Sequence, residues 1–199
     1  MTFVALLRAV NVSGQNRVPM AELRVALESA GRRSVETYVQ SGNVIFDAEG
    51  DDARAQAVAV HDAIASVFGH DVAVIALTAG ELAAVAAGNP FLRAGGAETA
   101  ACAASTDAAT AGVDEKTLHV TFLERPVEEA VFDGLQLPAA PGEAAALAPG
   151  GSCIYLHLPH GYGRTKLNNA WFERALKVRA TTRNWRTVLA LVQMSGKRA

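Results

Sequence analysis

Residues 3–12, FVALLRAVNV, form an apolar run rich in β-formers and broken by Arg8; the run predicts a strand that ends in the polar loop SGQNR. Pro19 opens PMAELRVALESAG, where Met20, Leu23 and Leu27 recur at helical spacing and Gly31 marks the stop. VETYVQ (35–40) and NVIFDA (43–48) flank Ser41 and Gly42 and predict a hairpin, with Gly42 taking a positive φ and Asn43 capping polar groups. Residues 52–68 place Ala55, Val58, Ile64 and Val67 at helical spacing, and VAVIALT (72–78) is a fourth strand. The order β-α-β-β-α-β is that of a ferredoxin-like plait.

A helix ending at Gly88 follows, and then periodicity stops. Residues 93–113, RAGGAETAACAASTDAATAGV, are small and polar, the composition of a linker or mobile loop. TLHVTFL (117–123) predicts a strand, Pro126 a short helix, and EAAALA with SCIYLHL a hairpin around Pro149-Gly150-Gly151. KLNNAWFERALKV (166–178) and ATTRNWRTVLALV (180–192) both read as helices, the second capped by Thr182 with Trp185, Val188, Leu189 and Val192 on one face. The second half therefore repeats β-α-β-β-α and ends in a helix where a plait would add a strand. The expected fold class is α+β: a ferredoxin-like N-terminal lobe (1–92), a linker (93–116) and a second α+β lobe with C-terminal helices (117–199).

Half of the 199 residues are apolar and 19% are charged, which excludes a disordered chain. MTFVALLRAVNV lacks a basic leader and carries Arg8 inside its apolar run, so it reads as neither signal peptide nor membrane anchor. No stretch approaches the roughly 20 apolar residues that a membrane span needs. Cys102 and Cys153 form no C-x-x-C pair. The expectation is a reduced, cytoplasmic protein with no membrane partner. The net charge of −2 conceals an asymmetry. Residues 1–159 hold nine Lys or Arg against nineteen Asp or Glu, whereas residues 160–199 hold nine against one, Glu173. Such a basic segment marks a site for an anion, often nucleic acid, unless it docks on the acidic body.

LLRAVNVSGQNRVPMAELRVALESAG, VETYVQSGNVIF, NPF, HVTFL and GYGRTKLNNAWFERALKVRATTRNWRTVLAL resemble, in order and nearly end to end, the signature segments of domain of unknown function 1697 (DUF1697), a family of mostly bacterial proteins. The resemblance implies an α+β fold with a plait-like N-terminal part, and it implies no activity. Ala9 and Ser13 stand where relatives commonly carry Gly.

NVSGQNR (11–17) lies between a strand and a helix, where phosphate loops sit, but it lacks G-x-G-x-x-G and G-K-[ST] and reads as a polar connection. An RNA-recognition plait stacks bases on several aromatic residues of its central strands, and NVIFDA offers only Phe46. Cys153, His157 and His160 are spaced too widely along a strand to share one metal, four residues spanning about 13 Å, so neither metal nor cofactor is expected. No nucleophile elbow appears, and His119 reads as a core histidine. An enzyme using Arg8, Asn11, Tyr38, His119 and Lys166 between the lobes is one alternative, and a protein-interaction adaptor using the acidic body is another.

The favoured reading rests on ATTRNWRT. A helix starting there carries Arg183 and Arg186 in its first turn, where the dipole repels cations. A bound phosphate or carboxylate relieves that conflict, as does an internal Asp or Glu. Arg8, on a central strand, likewise needs an acidic or anionic partner. Arg8, Arg164, Lys166, Thr182, Arg183 and Arg186 thus form the expected anion-binding set, with nucleic acid or a nucleotide as the partner.

Overall fold

The computed structural model describes residues 1–12, 16–93 and 113–198. Its first half runs β1 (Thr2–Leu7), α1 (Met20–Ser29), β2 (Arg33–Tyr38), β3 (Asn43–Asp47), α2 (Ala53–Phe68), β4 (Val74–Thr78), α3 (Ala79–Ala87) and α4 (Pro90–Arg93). The sheet order is β2-β3-β1-β4 with every pair antiparallel, the plait that the pattern predicts. Local chemistry sets the helix ends. Asp52 caps α2 by accepting from the amides of Arg54 and Ala55, and Gly69 stops it at φ 68°. Thr78 and Glu81 close a capping box on α3.

Two expectations for this half need correction. The first strand is shorter than 3–12, because Ala9 and Asn11 adopt left-handed φ of 53° and 55° and turn the chain out of the sheet. On α2 the buried residues are Val60 and Ile64, packed with Ala53 and Ala57, while Val58 and Val67 are more than half exposed. The small alanines let the helix lie close to the sheet, which moves the buried stripe to 53, 57, 60 and 64.

The second half begins with a 3-10 turn (Glu115–Thr117) and runs β5 (Leu118–Leu123), α5 (Glu129–Asp133), β6 (Ala144–Leu147), β7 (Cys153–His157), α6 (Asn169–Leu176), β8 (Ala180–Asn184) and α7 (Trp185–Gly196). The order β6-β7-β5-β8, again antiparallel, is a second complete plait. The strand expected to be missing is present. Residues 180–184 pair with β5, and the final helix starts only at Trp185 with Asn184, not Thr182, as its N-cap. Two threonines favour the pleated surface, and pairing satisfies a backbone edge of β5 that a helix would leave open. With the later start, Trp185, Val188, Leu191 and Ser195 are buried, and Leu189 is exposed. The expected linker, 93–116, falls mostly on residues outside those described, as does Cys102.

The core has three layers. Phe3, Ala5 and Leu7 of β1 pack on α1 and α2, while Val4 and Leu6 point the other way. Those two join Leu82 and Val85 of α3, Val120 of β5, Tyr155 of β7 and Val188 of α7 in a middle layer. Ile154 and Leu156 turn away from that layer toward Phe172 and Leu176 of α6. Each sheet therefore buries both faces, which explains why FVALL reads as an unbroken apolar run.

The turn between β2 and β3 is tightly enclosed. Gly42 has φ 75°, and a Cβ there would lie 2.5 Å from Val10 Cγ2 and 2.7 Å from Leu7 Cβ. Gly50 has φ 83° with nothing within 4 Å. Gly42→Ala is expected to destabilise by about 3 kcal/mol, combining backbone strain with overpacking, and Gly50→Ala by only about 1. Urea unfolding of both variants checks this; equal midpoint shifts would show that the close approach costs nothing.

Candidate functional site

Arg183 lies on β8 opposite Val120, so its side chain enters the middle layer rather than a helix first turn. It is 8% exposed. Nε donates to Asn43 Oδ1 at 2.6 Å. Nη1 donates to Thr181 Oγ1 at 2.8 Å and to the Thr182 carbonyl at 3.0 Å. Nη2 reaches the carbonyls of Leu7 at 2.8 Å, Gly42 at 3.2 Å and Ser41 at 3.4 Å. Burial lowers the guanidinium pKa to about 10, which leaves it charged at neutral pH. Asn43, fully buried, completes the arrangement by donating to the Tyr38 carbonyl and to Ser41 Oγ. The helix-dipole conflict at Arg183 thus disappears: QSGN of the first half and TTRN of the second are each other's partners.

Arg8 finds the acidic partner that its position demands. Its Nε and Nη2 form a fork with Glu173 at 2.7 and 2.6 Å, and Glu173 also accepts the Ala180 amide. The single acid of the last forty residues is thereby committed to the first lobe. Thr182 belongs to a polar cluster on the opposite face of β8. Its hydroxyl donates to Asn169 Oδ1 at 2.6 Å, shares a 2.8 Å bond with Thr121 and accepts from the Tyr162 hydroxyl at 3.2 Å. The Tyr162 ring stacks on His119 at 5.3 Å, which fixes the GYGRTK segment against the sheet. His119 is buried, and desolvation lowers its pKa. Cys153, also in the core, has its thiol pushed up to about 12, far from a reactive thiolate.

The remaining expected residues are placed differently. Arg164, Lys166 and Arg186 are exposed and have no acidic partner among the described residues. Arg186 is the one cation of the pair that does sit in the first turn of α7. Lys166 precedes α6 instead of lying on it, and Lys177, at its C-cap, has φ 55°. Asn11 uses its side chain to bind Val18 within the loop after β1 and to donate to the Gln40 carbonyl in the turn after β2. Tyr38 packs at the border of the middle layer. Arg8, Asn11, Tyr38, His119 and Lys166 therefore occupy separate surroundings instead of one interlobe constellation.

Sequence reasoning missed a two-part cleft between the lobes. An apolar compartment of about 820 Å³ runs along β4, the edge strand of its sheet, between α2, α3 and the end of β5. A charged compartment of about 630 Å³ is lined by Arg8, Asn16, Glu173, Lys177 and Arg179. Both touch Asp71, Ala73, Glu124 and Arg179. Nothing in the sequence marked it: periodicity put Val58 in the apolar stripe of α2, and only the structure exposes it to this space.

Two plaits joined through one apolar layer and a buried arginine define the class: an α+β protein in which each half repeats the same topology. The chain belongs to the family described as Protein of unknown function (DUF1697), whose model matches residues 1–105. Among solved structures it is similar to conserved bacterial protein SP0830 from Streptococcus pneumoniae, at 22% identity and a TM-score of 0.67, with 98% of each chain covered. That likeness carries the fold. A comparison with curated proteins finds no match. Among the described residues no helix is long and apolar enough to cross a membrane.

Two measurements test these assignments. Arg183→Gln strips buried carbonyls of their donor and is expected to cost about 3 kcal/mol, or roughly 6–12 °C in melting temperature. An unchanged melt would show that the junction does not hold the lobes together. For His119 the folded pKa lies below the unfolded one, so its contribution is full above the unfolded value and is lost as pH falls toward the folded one. His157, also lowered by burial, acts in the same direction, and His61, raised by Asp62 and Asp71, opposes. His119→Phe keeps the ring stack and should flatten the loss of stability between about pH 7 and 5; a parallel pH profile would contradict a buried neutral imidazole.

Proposed function

We propose that the protein binds a phosphate-bearing ligand, nucleic acid or a nucleotide, through Arg164 and Lys166 before α6 and Arg186 in the first turn of α7. The observation that carries this reading is the set of exposed cations left without an acid among the described residues once Glu173 is committed to Arg8. Arg186 stands where the α7 dipole repels it, a cost that a bound anion removes. Tyr162, two residues before Arg164, anchors the segment, so the cations project from a fixed base. In this reading Arg8, Thr182 and Arg183 hold the scaffold and do not touch the ligand. A free, buried Cys153 supports a reducing, cytoplasmic setting.

The test is fluorescence anisotropy with a labelled twelve-nucleotide single strand between about 50 and 200 mM salt. Affinity should fall steeply with salt for the wild type. Arg164→Gln/Lys166→Gln/Arg186→Gln is expected to weaken binding about tenfold or more and to reduce the salt slope by roughly two units, since each released phosphate contact removes about 0.7. Its melting temperature should not fall, because these side chains are exposed and hold no ion pair among the described residues. Absent or salt-independent binding, or a triple variant that binds as well as the wild type, would refute the proposal.

A further inference from the structure

We infer that the interlobe cleft is a binding site for a small amphipathic anion: an aromatic or aliphatic body carrying one carboxylate, sulfonate or phosphate group. This site is separate from the surface formed by Arg164, Lys166 and Arg186.

The apolar compartment supplies the body's environment. Val58 is 54% exposed on α2, as Val67 is further along, and it lines this space together with Ile75 and Leu77 of β4. Ala76, on the α2 side of β4, and Ala84, on the α3 side, also line it and leave room that larger side chains would fill. A volume of about 820 Å³ falls within the range of small-molecule pockets. More than half of Val58 remains in water, and a bound apolar group would cover it.

The charges along the cleft select the head group. Glu173 is taken by Arg8, Asp71 by His61, and Glu81 by the Thr78 cap. Among the described residues lining the cleft, Glu124 alone keeps an uncommitted carboxylate. Against it stand Arg54, Arg125, Lys177 and Arg179, none of which has an acidic partner there. Arg179 lines both compartments, at the point where an apolar body would give way to its head group. Lys177 lies two residues before it, and Arg125 Nη2 donates to the Lys177 carbonyl at 3.0 Å. Asp71 and Glu124 share the boundary with Arg179, so the choice of an anion rests on Lys177 and Arg179, cations without an acidic partner among the described residues, set beside an apolar compartment of suitable size.

The probe is 1-anilinonaphthalene-8-sulfonate, with uncharged N-phenyl-1-naphthylamine as its neutral counterpart, measured on the full chain below its melting transition. One saturable sulfonate site is expected. Ala84→Trp and Val58→Glu, both at exposed positions, should each weaken binding of both probes by about tenfold, by filling or charging the apolar compartment. Lys177→Gln/Arg179→Gln should weaken the sulfonate by about tenfold and the neutral probe by less than about twofold, the loss of charge-assisted contacts. Displacement by 1-naphthyl phosphate or by 1-naphthoate then tells a phosphate from a carboxylate head group. Unsaturable binding, indifference to both pocket variants, equal response of the two probes to charge removal, or displacement by neither competitor would overturn the assignment. The two proposals fail separately. Ala84→Trp acts on the two naphthalene probes and leaves the oligonucleotide unaffected, and the Arg164/Lys166/Arg186 triple variant acts on the oligonucleotide alone.

Discussion

Arg183 is a buried cation with no carboxylate partner among the described residues, and the relation between the two halves depends on it. Taking an ion out of water costs several kcal/mol, so its N–H groups must all find acceptors in the folded chain. Nη1 finds them on Thr181 and Thr182 of its own strand, whereas Nε and Nη2 find them on Asn43, on the turn after β2 and on the end of β1, all in the other half. Those acceptors converge only while Gly42 keeps its positive φ and Asn43 stays in register. The hydrogen bonds are directional, whereas the apolar layer around them is not. Apolar burial draws the halves together, and the guanidinium selects one orientation among the many that burial would allow.

That orientation shapes the rest. With the middle layer set, Tyr155 of β7 donates to the Val85 carbonyl of α3, and Gly88 passes so near that a Cβ would sit 2.8 Å from the Tyr155 hydroxyl. Arg8 meets Glu173 at one rim of the contact, and Arg198 reaches Glu36 and the Ser34 carbonyl at another. The cleft along β4 is the part of the lobe boundary that the apolar layer does not close. Its walls belong to both halves, so its dimensions follow from the docking angle and from neither plait alone.

The basic segment divides into three uses. Arg183, with Arg8 from the acidic body, serves the lobe junction. Lys177 and Arg179 border the cleft. Arg164, Lys166 and Arg186 face water. One compositional asymmetry therefore covers structural and surface cations together, and the difference lies in burial: inside, neutral carbonyls suffice to hold a guanidinium, whereas outside only an anion changes the balance.

The plait of residues 1–78 was legible because its signals are local. Met20, Leu23 and Leu27 have helical spacing, and β2 and β3 flank a glycine turn; neither needs a distant partner to be recognised. The need of Arg8 for an anion was legible for the same reason, since a charge on a central strand demands a counterpart wherever it comes from. Residues 180–184 were not legible. Ala-Thr-Thr-Arg-Asn followed by an amphipathic run continues a helical period backward, and only the open edge of β5 turns that stretch into a strand. Val58 was likewise placed by the packing of neighbouring alanines, which periodicity cannot weigh. Sequence by itself determined the elements, the first plait and the charge asymmetry, because these depend on spacing along the chain. Tertiary structure alone decided that Arg183 lies inside, that Glu173 serves Arg8 and that a cleft exists, because each depends on groups more than a hundred residues apart being brought within hydrogen-bonding or van der Waals reach.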